Sequence, residues 1–258
     1  MVPEASESAP RESLPRPAIA HALHRIAQQH AERRADPALS RALDRLGRWQ
    51  SARLGQTYAD LARDPRYAEA IRFFRSDLYG GDFAQRDADL ARAAPSMARL
   101  LPERLVASLA QALELNALSQ ELDRKLLARL PSRGDSFTVA QYCDAYRAMD
   151  AAHDRKRQLE LIHAFGIALD AHVRKPLLYA ALVTMRRPAR ATGFAALQSF
   201  LERGFAAFRK MGGADAFLAT IDERERRLME GIFAGESAPF ADPLAGNDRS
   251  SPRCKTRG

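Results

Sequence analysis

Two carboxylates stand where apolar side chains would complete a helical stripe. Asp87 falls on the face marked by Phe83, Leu90, Ala94, Met97 and Leu101, and Glu225 on the face marked by Leu218, Ile221, Leu228 and Ile232. A carboxylate taken out of water has to be paired, protonated or bound to a metal, because an isolated buried charge is too costly. Asp87 and Glu225 are therefore the candidate buried polar site. The alternative is a purely structural ion pair, with Arg86 or an arginine of another helix as the partner.

Glu160 and His163 are three residues apart, the spacing by which di-iron helical bundles present a carboxylate and an imidazole to one metal. A complete site of that kind needs a second such pair, and Asp150 with His153 lies too close upstream to supply it. The competing reading is a solvated helix face shared with Ile167, Asp170 and Arg174. His21 and His24 have the same spacing, with Gln28 one turn on and His30 ending the apolar stripe. No third zinc ligand is nominated, so these histidines are expected to be exposed. His172 and Cys143 fall on mostly apolar faces and are expected to pack. Arg186, Arg187 and Arg190 form the densest basic knot, able to meet a phosphate or an acidic partner, although cations at a helix C-terminus also suit its dipole. No phosphate loop, GxGxxG, GxSxG or HExxH pattern occurs.

Elements to position these residues are legible as helices. Ile19, Leu23 and Ile26 mark the first, and Leu39, Leu43 and Leu46 the second. Tyr67, Ile71, Phe74 and Leu78 mark the third. Asp36 before Pro37 and Asp64 before Pro65 each offer a capping carboxylate ahead of a proline suited to the first helical position. Gly80, Gly81 and Asp82 read as a stop followed by a new cap. Leu105, Leu109 and Leu113 continue after Pro102. Tyr142 and Tyr146 mark a further stripe, then Leu159, Ile162, Gly166 and Leu169. Pro176 opens another helix, ending near Arg186. Phe194, Leu197, Leu201, Phe205 and Phe208 make the most aromatic face, with Gly204 beside it permitting a close helix crossing. No segment alternates with period two. The expectation is all-α, a multi-helix bundle of about ten helices without β-sheet, spanning 17–235. A subdomain boundary is conceivable near 131–137, and 1–16 and 236–258 read as disordered tails.

The 258 residues carry 40 Lys and Arg against 32 Asp and Glu, a net charge of +8. The arginines alternate with acids instead of forming one basic block, which argues against charge-driven nucleic-acid binding. Two cysteines, one in a polar tail, exclude a disulfide framework and suit a reducing compartment. The N-terminus lacks the basic start and apolar core of an export signal, and no apolar run approaches the length of a membrane span. A cytoplasmic protein with no membrane partner is the expectation.

The stretch from Phe73 to Asp87 (Phe-Phe-Arg-Ser-Asp-Leu-Tyr-Gly-Gly-Asp-Phe-Ala-Gln-Arg-Asp), continuing to Leu100-Leu101-Pro102, resembles the FFLEELY motif family of bacterial proteins. Phe200 to Phe205 is similar to a later part of the same family. Phe73, Phe74, Leu78 and Tyr79 match the motif's ends, and Asp77 keeps one acid at its centre, where Arg75 and Ser76 depart from leucine and glutamate. The resemblance implies a shared helical fold and points to no activity, cofactor or catalytic residue.

With many helices, abundant phenylalanine and no assembled catalytic set, the leading functional expectation is a non-catalytic protein-binding or regulatory module. Its binding would run through an aromatic-rich groove or an arginine-rich surface. The alternatives are a helical-bundle enzyme or carrier of a metal or organic cofactor, with Glu160, His163, Asp87 and Glu225 as its residues, and charge-driven association with nucleic acid.

Overall fold

Asp36 accepts hydrogen bonds from the backbone N–H groups of Ala38 and Leu39 at 2.9 and 3.0 Å, so the chain ends one helix and starts the next within two residues. In the computed structural model, which describes residues 15–79, 84–134 and 136–244, this cap separates α1 (Pro15–Ala35) from α2 (Pro37–Thr57). Then follow α3 (Ala59–Arg63), α4 (Ala68–Phe73), a π-helical turn (Phe74–Tyr79), α5 (Ala84–Leu100) and α6 (Glu103–Leu127). A 3₁₀ turn (Pro131–Gly134) leads to α7 (Val139–Ala148), α8 (Ala152–Val173), α9 (Pro176–Thr184), α10 (Arg186–Ala191), α11 (Ala195–Met211) and α12 (Asp215–Phe233). No strand occurs among the described residues, and the protein is all-α.

The second Asp-Pro pair behaves differently from the first. The Asp64 carboxylate accepts from Arg66 N at 2.8 Å, closing a turn, and α4 starts only at Ala68. The Arg66 side chain donates to the carbonyls of Met211 and Gly213, and this holds the turn against the end of α11. The expected stop and cap at Gly80, Gly81 and Asp82 lie outside the described residues.

Three apolar clusters hold the bundle. One joins α2, α6, α7, α8 and α12 around Trp49, Leu122, Tyr142 and Cys143. A second joins α4, α11 and α12 through Phe73, Phe208 and Phe217. The third packs α1, α5 and α6 through Ile19, Ile26, Ala94 and Leu113. The Pro131 turn is a connection inside the first cluster, since Leu126 and Leu130 on one side and Val139 and Tyr142 on the other share that core. The chain beyond α12 also packs: the Phe240 ring lies 5.8 Å from Trp49 and 6.2 Å from Tyr142. Residues 236–244, which read as tail in sequence, thus include an anchor whose apolar ring has a site to fill. Residues 1–14 and 245–258 lie outside the described residues.

The phenylalanines of α11 face inward. Phe208 is 2 % exposed, and Phe200 packs 5.3 Å from Phe73, so the aromatic face closes the core instead of lining an open groove. Gly204 makes this crossing close, because a Cβ built there would stand 3.1 Å from Phe73 Cζ.

Candidate anion-binding cleft

Asp87, on the first turn of α5, is 3 % exposed. Four side chains from three helices bring donors to it. His30 Nε2 of α1 lies 3.1 Å from Oδ2, and Arg86 donates to Oδ1 at 2.7 and 2.9 Å. Asn116 and Gln120, one turn apart on α6, each donate to Oδ2 at 3.3 Å. Burial alone would raise the Asp87 pKa, but the His30 hydrogen bond and the Arg86 charge outweigh it and hold the carboxyl below its ordinary range. Bonding to an ionised Asp87 requires a proton on His30 Nε2, and a second proton, on Nδ1, would let the ring donate outward to an anion. Nδ1 makes no hydrogen bond among the described residues.

Arg86 connects this carboxylate to the stretch from Phe73 to Tyr79. Its guanidinium donates to the Asp77 carbonyl at 2.6 Å and lies 4.8 Å over the Phe200 ring. Asp77 sits in the π-helical turn and pairs with Arg203 of α11. Turns of this kind widen the helix by one residue, which here aims a carbonyl at a neighbouring helix. Phe73 is buried and Phe74 packs beside it, whereas the side chains of Leu78 and Tyr79 lie outside the described residues.

His30 lines a cleft of about 470 Å³ between α1, α2 and α5. Ile26, Ala27, Ala88 and Ala91 supply its apolar wall, and Arg33, Arg34, Ser40, Asp44, Asp87 and Arg92 its polar one. Pro95, inside α5, has no N–H to offer the Ala91 carbonyl on this wall. Arg33 is held by Asp44 at 2.5 Å and by Ser40. Arg92 is held by Asp89 at 2.7 Å, by the Gly193 carbonyl and by the Phe194 ring. Arg34 is exposed and makes no ion pair or hydrogen bond through its side chain among the described residues. Three guanidinium groups thus face a wall whose two carboxylates are already engaged, and the cleft favours an anion.

Glu225 belongs to a different place. Arg53 of α2 grips it at 2.8 and 2.9 Å, and the Tyr58 hydroxyl donates to it at 2.7 Å. Burial pushes its pKa up, but Arg53 and Tyr58 bring it below the ordinary carboxylate range. The void beside it is about 30 Å³, room for one water and no ligand. Asp87 and Glu225 therefore do not share a site. Arg224, next along α12, instead pairs with Asp60.

Glu160 is exposed and faces Arg157 at 3.7 Å, while His163 is half-buried. No group of three or more His, Cys, Asp or Glu positioned for a metal ion exists among the described residues. Arg186, on α10, is engaged by Glu202 at 2.7 Å, whereas Arg187 and Arg190 extend into solvent. His21 and His24 are exposed, as their spacing suggested, but His30 is not: it turns inward to Asp87 because α1 packs on both α5 and α6.

Two further buried acids escaped the sequence reading, Asp89 and Asp170, the latter paired with Arg174 and turned away from the solvated face expected of it because α8 is covered on that side. Asp89 is fully buried, salt-bridged to Arg92 and within 3.4 Å of Leu197 N at the start of α11. Asp123 accepts from Gln50 at 3.0 Å, and burial raises its pKa against the pull of Arg155. The apolar stripe of α5 flagged Asp87 alone, since a helix covered on two sides buries residues off its main stripe. His30 had a signal, its place four residues after Ile26 on the buried stripe.

Comparison with known proteins finds no match among curated proteins and none among solved structures. One family model, described as a domain of unknown function (DUF8198), matches residues 29–239. The matched span begins one residue before His30 and contains every side chain that holds Asp87. Covering most of the sequence, it shows that the chain belongs to this domain family.

Proposed function

We propose that the protein is a regulatory binding module that takes the anionic group of a ligand, a phosphate or a carboxylate, into the cleft between α1, α2 and α5. Arg34 carries the reading: it is an uncommitted guanidinium beside a histidine whose outer nitrogen is also uncommitted, in a cleft whose remaining arginines are braced. Bracing keeps Arg33 and Arg92 in place before the ligand arrives, which lowers the ordering cost of binding. The anion belongs to a free metabolite or to a side chain of a partner protein, since both present the same chemistry. Nucleic acid fits less well, because the arginines alternate with the acids they pair with and form no continuous basic face. The likeness to the FFLEELY motif family supports the fold of this module and leaves its ligand open.

Calorimetric titration of the full chain with inorganic phosphate, with succinate and with phosphoserine-containing peptide tests the reading. Saturable heat is expected for at least one probe. Arg34→Ala and His30→Ala should each weaken it about tenfold, the loss of one charge-assisted hydrogen bond, and Arg190→Ala should leave it unchanged. Tighter binding of the peptide than of phosphate would identify a protein partner. Absence of saturable heat with all three, or equal binding by Arg34→Ala, overturns the proposal.

A further inference from the structure

Among the described residues, the two most exposed large apolar side chains are Leu177 at 84 % and Leu100 at 83 %. They lie at the same end of the bundle. Ser108 of α6 meets His172 of α8 at 2.9 Å, and Ser119 of α6 meets Gln158 of α8 at 2.8 Å, so these helices run antiparallel. The start of α6, just after Leu100, is therefore level with the end of α8, just before Leu177.

The charge around this end has one sign in excess. Arg99, Arg104 and Lys175 are exposed and make no ion pair or side-chain hydrogen bond among the described residues, and Glu103 is the one acid beside them in sequence. From Ala171 to Leu201 the chain has no Asp or Glu at all, while Arg174, Lys175, Arg186, Arg187 and Arg190 fall within it. Inside that stretch α9 reads Pro-Leu-Leu-Tyr-Ala-Ala-Leu-Val-Thr, and none of its residues is buried. A helix this apolar is ordinarily covered on every side.

We infer that this end of the protein docks on an anionic phospholipid surface, with Leu100 and Leu177 entering the acyl boundary and Arg99, Arg104 and Lys175 resting on headgroup phosphates. Apolar groups surrounded by uncommitted cations match the two layers of such a surface, fatty chains beneath and negative charge above. A second copy of the chain fits poorly, because a symmetric pairing would bring the same cations face to face. No described helix is long and apolar enough to cross a membrane, and surface docking needs none. The cleft at His30 takes no part in this contact, so the two proposals stand or fall separately.

Flotation of the full chain with vesicles tests it, using phosphatidylcholine alone and an equal mixture of phosphatidylcholine and phosphatidylglycerol. The chain should float with the mixed vesicles only, and added salt should release it. The double variant Leu100→Ser/Leu177→Ser should bind at least about tenfold more weakly, as loss of two inserted leucines implies. The triple variant Arg99→Glu/Arg104→Glu/Lys175→Glu should bind at least about a hundredfold more weakly. All five side chains are exposed, so unchanged circular dichroism is expected for both variants. Equal flotation with both vesicle types, or flotation unaffected by both variants, overturns the inference. So does a sedimentation shift showing dimers that Leu100→Ser/Leu177→Ser dissolves, with no flotation.

Discussion

Arg53 and Glu225, 172 residues apart in sequence, form a two-pronged ion pair at 2.8 and 2.9 Å that fastens α2 to α12. Their side chains are 11 % and 16 % exposed, so neither charge has much water to fall back on. Glu225→Ala strands the guanidinium and is expected to destabilise the fold by about 3 kcal/mol, whereas the paired replacement Arg53→Met/Glu225→Leu should recover most of that loss. Urea unfolding of the unaltered protein and of these two variants measures it. A single-variant cost below about 1 kcal/mol would place this pair with ordinary surface bridges.

Acid should unfold the protein in two stages. Burial, and then Lys175, lower the His172 pKa from 6.5. The folded state therefore disfavours the imidazolium, and the stability this represents is complete above pH 6.5 and declines as pH falls through the lowered pKa. Asp87 and Glu225 are held below 3.8 and 4.5, so their contribution is present above those values and is lost on further acidification. Asp123 has the opposite sign, because its raised pKa makes the folded state the better proton binder and its contribution fades as pH rises. His172→Gln should flatten the stability curve in the interval just below pH 6.5 and leave the later acid limb in place. An unchanged slope in that interval would refute the assignment to His172.

Gly166 should be the least replaceable glycine of the described helices. A Cβ there would collide with the Leu218 side chain across the contact between α8 and α12, where Leu218 is 2 % exposed and has little room to retreat. Gly166→Ala is expected to cost about 2 kcal/mol by overpacking. Gly204→Ala, facing Phe73 at 3.1 Å, should cost less. Thermal melts rank the two, and the reverse order would contradict the packing described for α8 and α12.

Cys143 should be inert in the folded protein. It is fully buried, and burial pushes its thiol up to about 11, against the influence of Arg147. Alkylation by iodoacetamide at neutral pH, read by peptide mass spectrometry, should leave Cys143 unmodified until denaturant is added. Labelling of Cys143 within minutes under native conditions would indicate that α7 opens locally.

Local rules in the sequence were enough for the helical class, the break at Asp36-Pro37, the capacity of Gly204 for a close crossing and the burial of Asp87. Each of these depends on residues within one or two helical turns, where side-chain spacing and capping chemistry act directly. The partners were decided by tertiary structure alone. Nothing near Asp87 in sequence points to His30, Asn116 or Gln120, and nothing near Glu225 points to Arg53 or Tyr58, because these meet only when α1, α5 and α6, or α2 and α12, pack together. Asp89 stayed hidden for the same reason: a periodic stripe reports one buried face, and α5 is covered on two. The cleft is likewise a property of packing, since Arg33 and Arg92 become braced and Arg34 is left uncommitted only once α1, α2 and α5 have taken their places.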